Sequence, residues 1–334
     1  MQNLIDPAIL FFIFGVLAGT VKSNLEIPPA ISRFLSLYLL MALGLKGCFA
    51  LSQSGLTASV GISLAAAVAL AIVIPLIGYI VLRRFVSGFD AAAVAATYGS
   101  VSAVTFVTAV QYLENQGVAY GGHMAAAMAL MESPAIILAV VFANSLRQKA
   151  AAGAVTPGGV AAAGASTAPA GNSVGKVLHE SFTDGAQLLL LGAMAIGPIT
   201  GDAGQAAMAP FSVDLFKGML AFFLLDMGLM AARNLPQVKG KSPVLIAYAV
   251  IGPMVHACLA LGLAYVLKLS AGDGALLMVL AASASYIAVP AVLRTALPEA
   301  NPSLYFGLSL GLTFPLNIVF GIPIYVAVAQ AVLI

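Results

Sequence analysis

Charge is what this sequence has least of. Of its 334 residues only 8% are Asp, Glu, Lys or Arg, against 61% hydrophobic, and the mean hydropathy is +1.05. A soluble domain carries about 25% charged residues, so a water-facing surface cannot be assembled from this stock. The two cysteines, Cys48 and Cys258, fall in or beside apolar runs without metal-ligand spacing. That argues against a disulfide framework and makes both small buried residues. No basic cluster with interleaved aromatics is present, which excludes nucleic acid as a partner. Gly-x-Ser-x-Gly, His-Glu-x-x-His, Walker and Cys-x-x-Cys motifs are all missing, so neither an enzyme nor an ATP-driven pump is expected. The first residues, Met1 to Pro7, lack the basic stretch of a signal peptide, so the apolar run that follows is expected to be retained.

What the chain has is long continuous apolar runs. In lipid every backbone polar group must be satisfied internally, which leaves helix bundles and closed barrels. Barrel strands alternate polar and apolar residues, so unbroken runs mean helices. Spans of membrane-crossing length fall at 7–22, 28–46, 57–82, 90–113, 123–146, 181–200, 211–232, 243–268, 273–297 and 303–332. The expectation is an all-α integral membrane protein of about ten transmembrane helices, with the lipid bilayer as its solvent. The Ala/Gly-rich stretch within 148–180 separates a first five-helix half, 1–147, from a second, 181–334.

Threading ten spans puts 11 of the 14 Lys and Arg on one side and Lys46, Lys217 and Lys268 on the other. This predicts both termini outside and a cytoplasmic 148–180 linker. Small-residue landmarks recur at a nearly constant offset: Asp90 with Asp273, Ser100 and Ser102 with Ser283 and Ser285, Gly44 with Gly228, and Pro134 with Pro315. Five spans per half is an odd number, so the second half enters from the opposite face. The halves are expected to be inverted repeats, each with a broken helix.

The breaks are expected at Thr97 to Thr105 and at Ala282 to Pro290, where Gly, Ser and Pro interrupt the fourth and ninth spans. A helix restarting in mid-membrane offers free N–H groups and a positive dipole end to an anion. The half-helix before it ends in carbonyls that, with hydroxyls, suit Na⁺. Packing alone is the competing reading for any single Ser-x-Ser. Ionisable residues within spans are functional candidates: Glu132 as cation ligand or proton carrier, with Thr313 and Asn317 at its repeat position. Asp226 is a structural or transport residue, His256 a packing residue, Asp90 and Asp273 helix N-caps, and Lys46, Arg83 and Arg84 interface anchors.

Tyr98-Gly99-Ser100-Val101-Ser102-Ala103-Val104-Thr105, Met131-Glu132-Ser133-Pro134-Ala135 and Ala281-Ala282-Ser283-Ala284-Ser285 resemble the sodium-dependent bicarbonate transporter family of cyanobacteria and other bacteria. The most specific match is Leu293-Arg294-Thr295-Ala296-Leu297-Pro298-Glu299-Ala300-Asn301-Pro302-Ser303. The resemblance implies a bacterial cytoplasmic (inner) membrane, a core domain moving against a gate domain, a homotrimer, bicarbonate entering with Na⁺ as coupling ion, and in some members a PII-like cytoplasmic regulator. It implies no other cofactor. The anion is expected against Gly99, Ser100, Ser102, Ala103 and Thr105 in one break and Ser283, Ser285, Tyr286 and Ile287 in the other. The cation is expected among Ser100, Ser102, Glu132, Ser283, Thr313 and Asn317. The chain departs from the family pattern at Tyr286, where an acidic residue is usual, and at Glu132, where Asp is usual. A transporter of another small anion or organic carboxylate, coupled to H⁺ or Na⁺, and a passive anion channel are the rival readings.

Overall fold

The computed structural model describes residues 6–55, 57–153, 184–238 and 240–333. Among them there is no strand, and the chain is a succession of helices. The first half holds α1 (Pro7–Thr20), α2 (Pro29–Ser54), α3 (Ala58–Leu82), α4 (Gly88–Gly99), α5 (Ala103–Gln116) and α6 (Met124–Gly153). The second holds α7 (Gly185–Ala209), α8 (Phe216–Asn234), α9 (Pro243–Val266), α10 (Ala271–Ala282), α11 (Ala288–Ala296) and α12 (Pro302–Val332). Of the 148–180 linker, α6 takes the part up to Gly153 and the rest lies outside the described residues.

Seven stretches among the described residues are long and apolar enough to cross a membrane. The difference from ten has a local cause at each of three places. α1 has only 14 residues. The ninth span is two short helices, of 12 and 9 residues. The sixth and seventh run together as one helical stretch, Gly185–Val238. That stretch bends at Gly201, whose φ of 56° is a left-handed conformation that glycine adopts without a Cβ clash.

Prolines sit where helices begin, at Pro29, Pro243 and Pro302, positions whose amides have no intrahelical partner. The broken helices start differently from the sequence expectation. Ser87 caps α4 and Ser270 caps α10, each accepting from the amide three residues on, Asp90 at 3.0 Å and Asp273 at 3.1 Å. Asp90 and Asp273 are therefore not the caps but the third residues of their helices. The Asp90 carboxylate accepts from the Ser87 hydroxyl at 2.8 Å, and both carboxylates also reach across the halves. Asp90 accepts from the Asn301 amide at 2.8 Å, ahead of α12, and Asp273 from the Gly121 amide at 2.6 Å, ahead of α6.

By their richest contacts the helices sort into four sets. α1 lies along α8 and α2 along α7; α3, α4 and α6 pack together, as do α9, α10 and the end of α12. Lipid-like surroundings supply no hydrophobic drive between helices, so close backbone approach at small residues does the work. A Cβ on Gly228 would strike the Phe12 carbonyl, and one on Gly44 would lie 2.6 Å from the Leu190 carbonyl. Farther along, a Cβ on Gly19 would meet Ala232 at 2.7 Å, and one on Gly197 would collide with Cys48. Large apolar side chains meanwhile face outward from the surface helices, among them Phe11 and Phe14 of α1, Ile77 and Ile80 of α3, and Ile251 and Met254 of α9. That is the surface a bilayer covers.

The α1–α8 crossing predicts that Gly228→Val destabilises the protein by about 1–3 kcal/mol or more, the usual result of overpacking. Gly218→Val on the same helix, where a Cβ meets nothing within 4 Å, should leave the thermal midpoint in detergent unchanged.

Candidate functional site

α4 stops because Ser100 is extended (φ −92°, ψ −176°), and α5 starts after the extended Ser102. The Ser102 hydroxyl caps α5, accepting from the Thr105 amide at 3.2 Å and from the Thr105 hydroxyl at 2.9 Å. In the second break Ser283 is extended and its hydroxyl donates back to the Leu280 carbonyl at 2.9 Å. The Ser285 hydroxyl accepts from the Val289 amide at 3.3 Å, and α11 has no other side-chain cap. Pro290 falls in the first turn of α11, where its missing N–H costs no helical bond.

The two breaks satisfy each other. The Ser102 amide donates to the Ser283 hydroxyl at 3.0 Å, and the Ser285 amide donates to the Thr97 carbonyl at 2.8 Å. Behind them α12 closes the remaining gaps. Asn317 donates to the Ala282 carbonyl at 2.8 Å and accepts from the Tyr325 hydroxyl at 3.1 Å. Thr313 bonds the Tyr98 hydroxyl at 2.6 Å and donates to the Ala249 carbonyl at 2.7 Å. Both residues lie in π-type turns, Ser309–Thr313 and Asn317–Gly321, of a helix that also contains Pro315.

A cavity of about 190 Å³ opens beside the crossing. Its wall includes Ser102, Ala103 and Val104 at the start of α5, and Ser285, Tyr286, Ile287 and Ala288 around the start of α11. Ser36 and Leu40 of α2, Glu132 and Ile136 of α6, and Asp184, Gln187 and Leu190 of α7 complete it. Two helix N-termini thus reach one space whose only carboxylates, among the described residues, are Glu132 and Asp184. Asp184 caps α7, accepting from the Ala186 and Gln187 amides at 2.9 and 3.2 Å. The Gln187 side chain donates to the Glu132 carboxylate.

Of the residues expected at the site, the cavity brings together Ser102, Ala103, Glu132, Ser285, Tyr286 and Ile287. Gly99, Ser100, Thr105, Ser283, Thr313 and Asn317 are not in its wall. Ser100 is buried, and its hydroxyl oxygen has no hydrogen-bond partner. Gly99 is pressed against Pro75, with no room for a Cβ beside the ring carbons. Tyr286 packs edge-on against Phe314, centroids 5.1 Å apart, and its hydroxyl points to the Met227 sulfur at 3.5 Å. Among the polar lining residues, Ser36, Asp184 and Gln187 were missed by sequence reasoning, although a glutamine and an aspartate at the head of an apolar span are a readable signal. No group of three or more His, Cys, Asp or Glu that could hold a metal ion occurs among the described residues.

The Leu293 to Ser303 run forms the joint at one end of the bundle. Arg147 at the end of α6 makes a two-pronged ion pair with Glu299, both bonds 2.8 Å, and donates to the Ala296 carbonyl at 3.0 Å. Asn301 caps α12 through the Ser303 amide at 3.1 Å, and Lys241 donates to the Ser303 hydroxyl at 2.8 Å.

An all-helical chain with an apolar outer surface and a cavity between two interrupted helices is built as a multi-pass membrane transporter. Within that class, the family model of the Na⁺-dependent bicarbonate transporter superfamily matches residues 7–330, nearly the whole chain, and the chain belongs to that superfamily. A search of curated proteins gives no match.

The hydrogen bonds from Arg147 hold the Glu299 carboxyl below the ordinary glutamate range. A depressed pKa contributes stability that is complete above the unfolded value, about 4.3, and is lost as pH falls through the folded one. Glu299→Gln should therefore lower the thermal midpoint slightly at pH 7, and the gap to the parent should close as the pH is taken below 4.3.

Proposed function

We propose that this protein carries bicarbonate into the cell together with Na⁺, the anion held between the starts of α5 and α11. The observation that carries the reading is the shared cavity: Ser102 to Val104 and Ser285 to Ala288 line one space from two separate helix breaks. Unpaired amides and the positive dipole ends of both helices favour a small anion there. Two carboxylates in the same wall would repel that anion alone. A cation taken up beside Glu132, with hydroxyls and carbonyls of the breaks as further ligands, offsets the charge and gives a physical reason for coupling. Ser102 is the expected hydroxyl ligand that lines this space; Ser100 and Ser283, expected beside it, lie outside the cavity wall. Thr313 and Asn317 act behind the breaks, by fixing their shape.

The motion is an elevator. α1, α2, α7 and α8 form the gate, and α3 to α6 with α9 to α12 form the core that slides along it. The ten-span, inverted-repeat reading has support from the helix crossings. Gly44 meets Leu190 as Gly228 meets Phe12, and Gly19 meets Ala232 as Gly197 meets Cys48. Going from one half to the other, α1 positions recur 178 residues later in α7 (Phe12 to Leu190, Gly19 to Gly197). α2 positions recur 184 later in α8 (Gly44 to Gly228, Cys48 to Ala232). The reciprocal ties of Asp90 to Asn301 and Asp273 to Gly121 point the same way. Termini outside and a cytoplasmic 148–180 linker are the orientation that the Lys and Arg distribution favours, and the bacterial inner membrane rests on family resemblance. The homotrimer and the PII-like regulator rest on family resemblance.

Radiolabelled bicarbonate uptake into proteoliposomes tests the proposal. An inward Na⁺ gradient should raise accumulation several-fold over equal Na⁺ on both sides, and a pH gradient alone should not. Uptake indifferent to Na⁺ removes the symport, and ion currents without saturable accumulation indicate a channel. Glu132→Gln should shift the Na⁺ titration to higher concentration at unchanged folded yield; an identical titration removes Glu132 from the cation site.

A further inference from the structure

The end of α5 away from the cavity carries a second cluster of polar groups, and it joins helices of the proposed gate and core. Glu114 accepts two bonds from the Lys46 ammonium of α2, each 3.1 Å, and one from the Tyr120 hydroxyl at 3.0 Å. Lys46 is further fixed over the Phe216 ring, 4.1 Å from its centroid. Next to it, Asn115 donates to the Asp6 carboxylate at the head of α1, at 2.7 Å. Its carbonyl oxygen accepts from Lys217 of α8 at 2.8 Å and from Gln111 at 3.0 Å. Two adjacent residues of one helix thus hold α1, α2 and α8 together.

Beneath this cluster lies a narrow crevice of about 10 Å³, lined by Asp6, Thr108, Gln111, Tyr112 and Asn115 among others. Gln111 is buried there with its side-chain carbonyl oxygen unpartnered. An unpaired buried amide oxygen costs free energy, so a polar group facing a space barely large enough for one water is poorly placed in a permanently closed core. The main cavity, by contrast, takes nothing of α5 beyond Val104, touches α2 at Ser36 and Leu40, well before Lys46, and reaches α7 no farther than Leu190. The space for the anion and the polar cluster therefore lie toward opposite faces.

We propose that Glu114 and Asn115 are the latch of an outer gate, closed here onto Lys46, Asp6 and Lys217, and that the Gln111 crevice is the shut outer mouth of the anion path. Opening parts α5 from α1, α2 and α8, frees Lys46 and Lys217 to draw anions toward the mouth, and gives water to Gln111. This rests on the transport reading above and extends it to the other face.

The test is site-specific labelling of Thr108→Cys by a membrane-impermeant, charged maleimide added from outside, read by peptide mass spectrometry so that Cys48 and Cys258 do not interfere. Labelling should be slow with the latch intact and several-fold faster when Lys46→Gln or Asn115→Ala is added. The charge swap Lys46→Glu with Glu114→Lys should restore slow labelling, which a merely unfolded variant cannot do. Equal labelling in all four proteins, or fast labelling that the swap fails to reverse, overturns the latch. The readout needs no substrate: absent bicarbonate uptake beside the expected labelling pattern removes the substrate assignment and leaves the latch standing.

Discussion

Everything at the centre of this protein depends on one exchange of hydrogen bonds between two interrupted helices. The Ser102 amide is held by Ser283, and the Ser285 amide by the Thr97 carbonyl. An open backbone in hydrocarbon costs several kcal/mol for each unsatisfied group, so neither break is tolerable alone. Together they supply each other's missing partners, and the starts of the two helices that follow line one cavity. The same constraint explains α12, whose irregular turns put Asn317 and Thr313 where carbonyls and a tyrosine hydroxyl would otherwise lack partners.

The surroundings of the crossing follow from its chemistry. Hydrogen bonds of 2.8–3.0 Å from the backbone amides of one break to the other require the four half-helices to meet without bulk between them. α4 is accordingly alanine-rich and buried along its length, and Gly99 leaves room for Pro75 of α3. Where α1 meets α8 and α2 meets α7, glycines permit equally close approach without polar exchange. One group of helices is thus knit by hydrogen bonds at its centre, the other by van der Waals contact. Between them lie the cavity, with the Gln187–Glu132 bond, on one side and the Glu114–Asn115 cluster on the other. The elevator proposed above needs that seam to slide while the crossing stays intact.

Much of this was legible in the residues. Continuous apolar runs located the helices, and the Gly-Ser-x-Ser and Ser-x-Ser segments with Pro290 located both breaks, because each residue type acts locally on its own backbone. Ends of helices were harder. Asp90 and Asp273 were expected as caps because the apolar windows begin at them, whereas the caps Ser87 and Ser270 precede them by three residues. Long-range pairing was not legible at all. Nothing near Glu132 in sequence announces Gln187, and nothing near Glu114 announces Lys46, since those partners are set by how helices cross. Repeat equivalence pointed to Thr313 and Asn317 beside Glu132, but their side chains bond the Ala249 and Ala282 carbonyls and neither lines the cavity that Glu132 does, because position alone does not say which way a hydroxyl or amide is used.

The most direct test of the central claim is an experimental density map of the protein in lipid with bicarbonate and Na⁺ present. The account predicts density for a small anion against the amides of Ala103 and Ala288, with both helices interrupted at 100–102 and 283–287. Continuous helices through either segment, or an anion bound elsewhere with the space between the breaks filled by side chains, would contradict it.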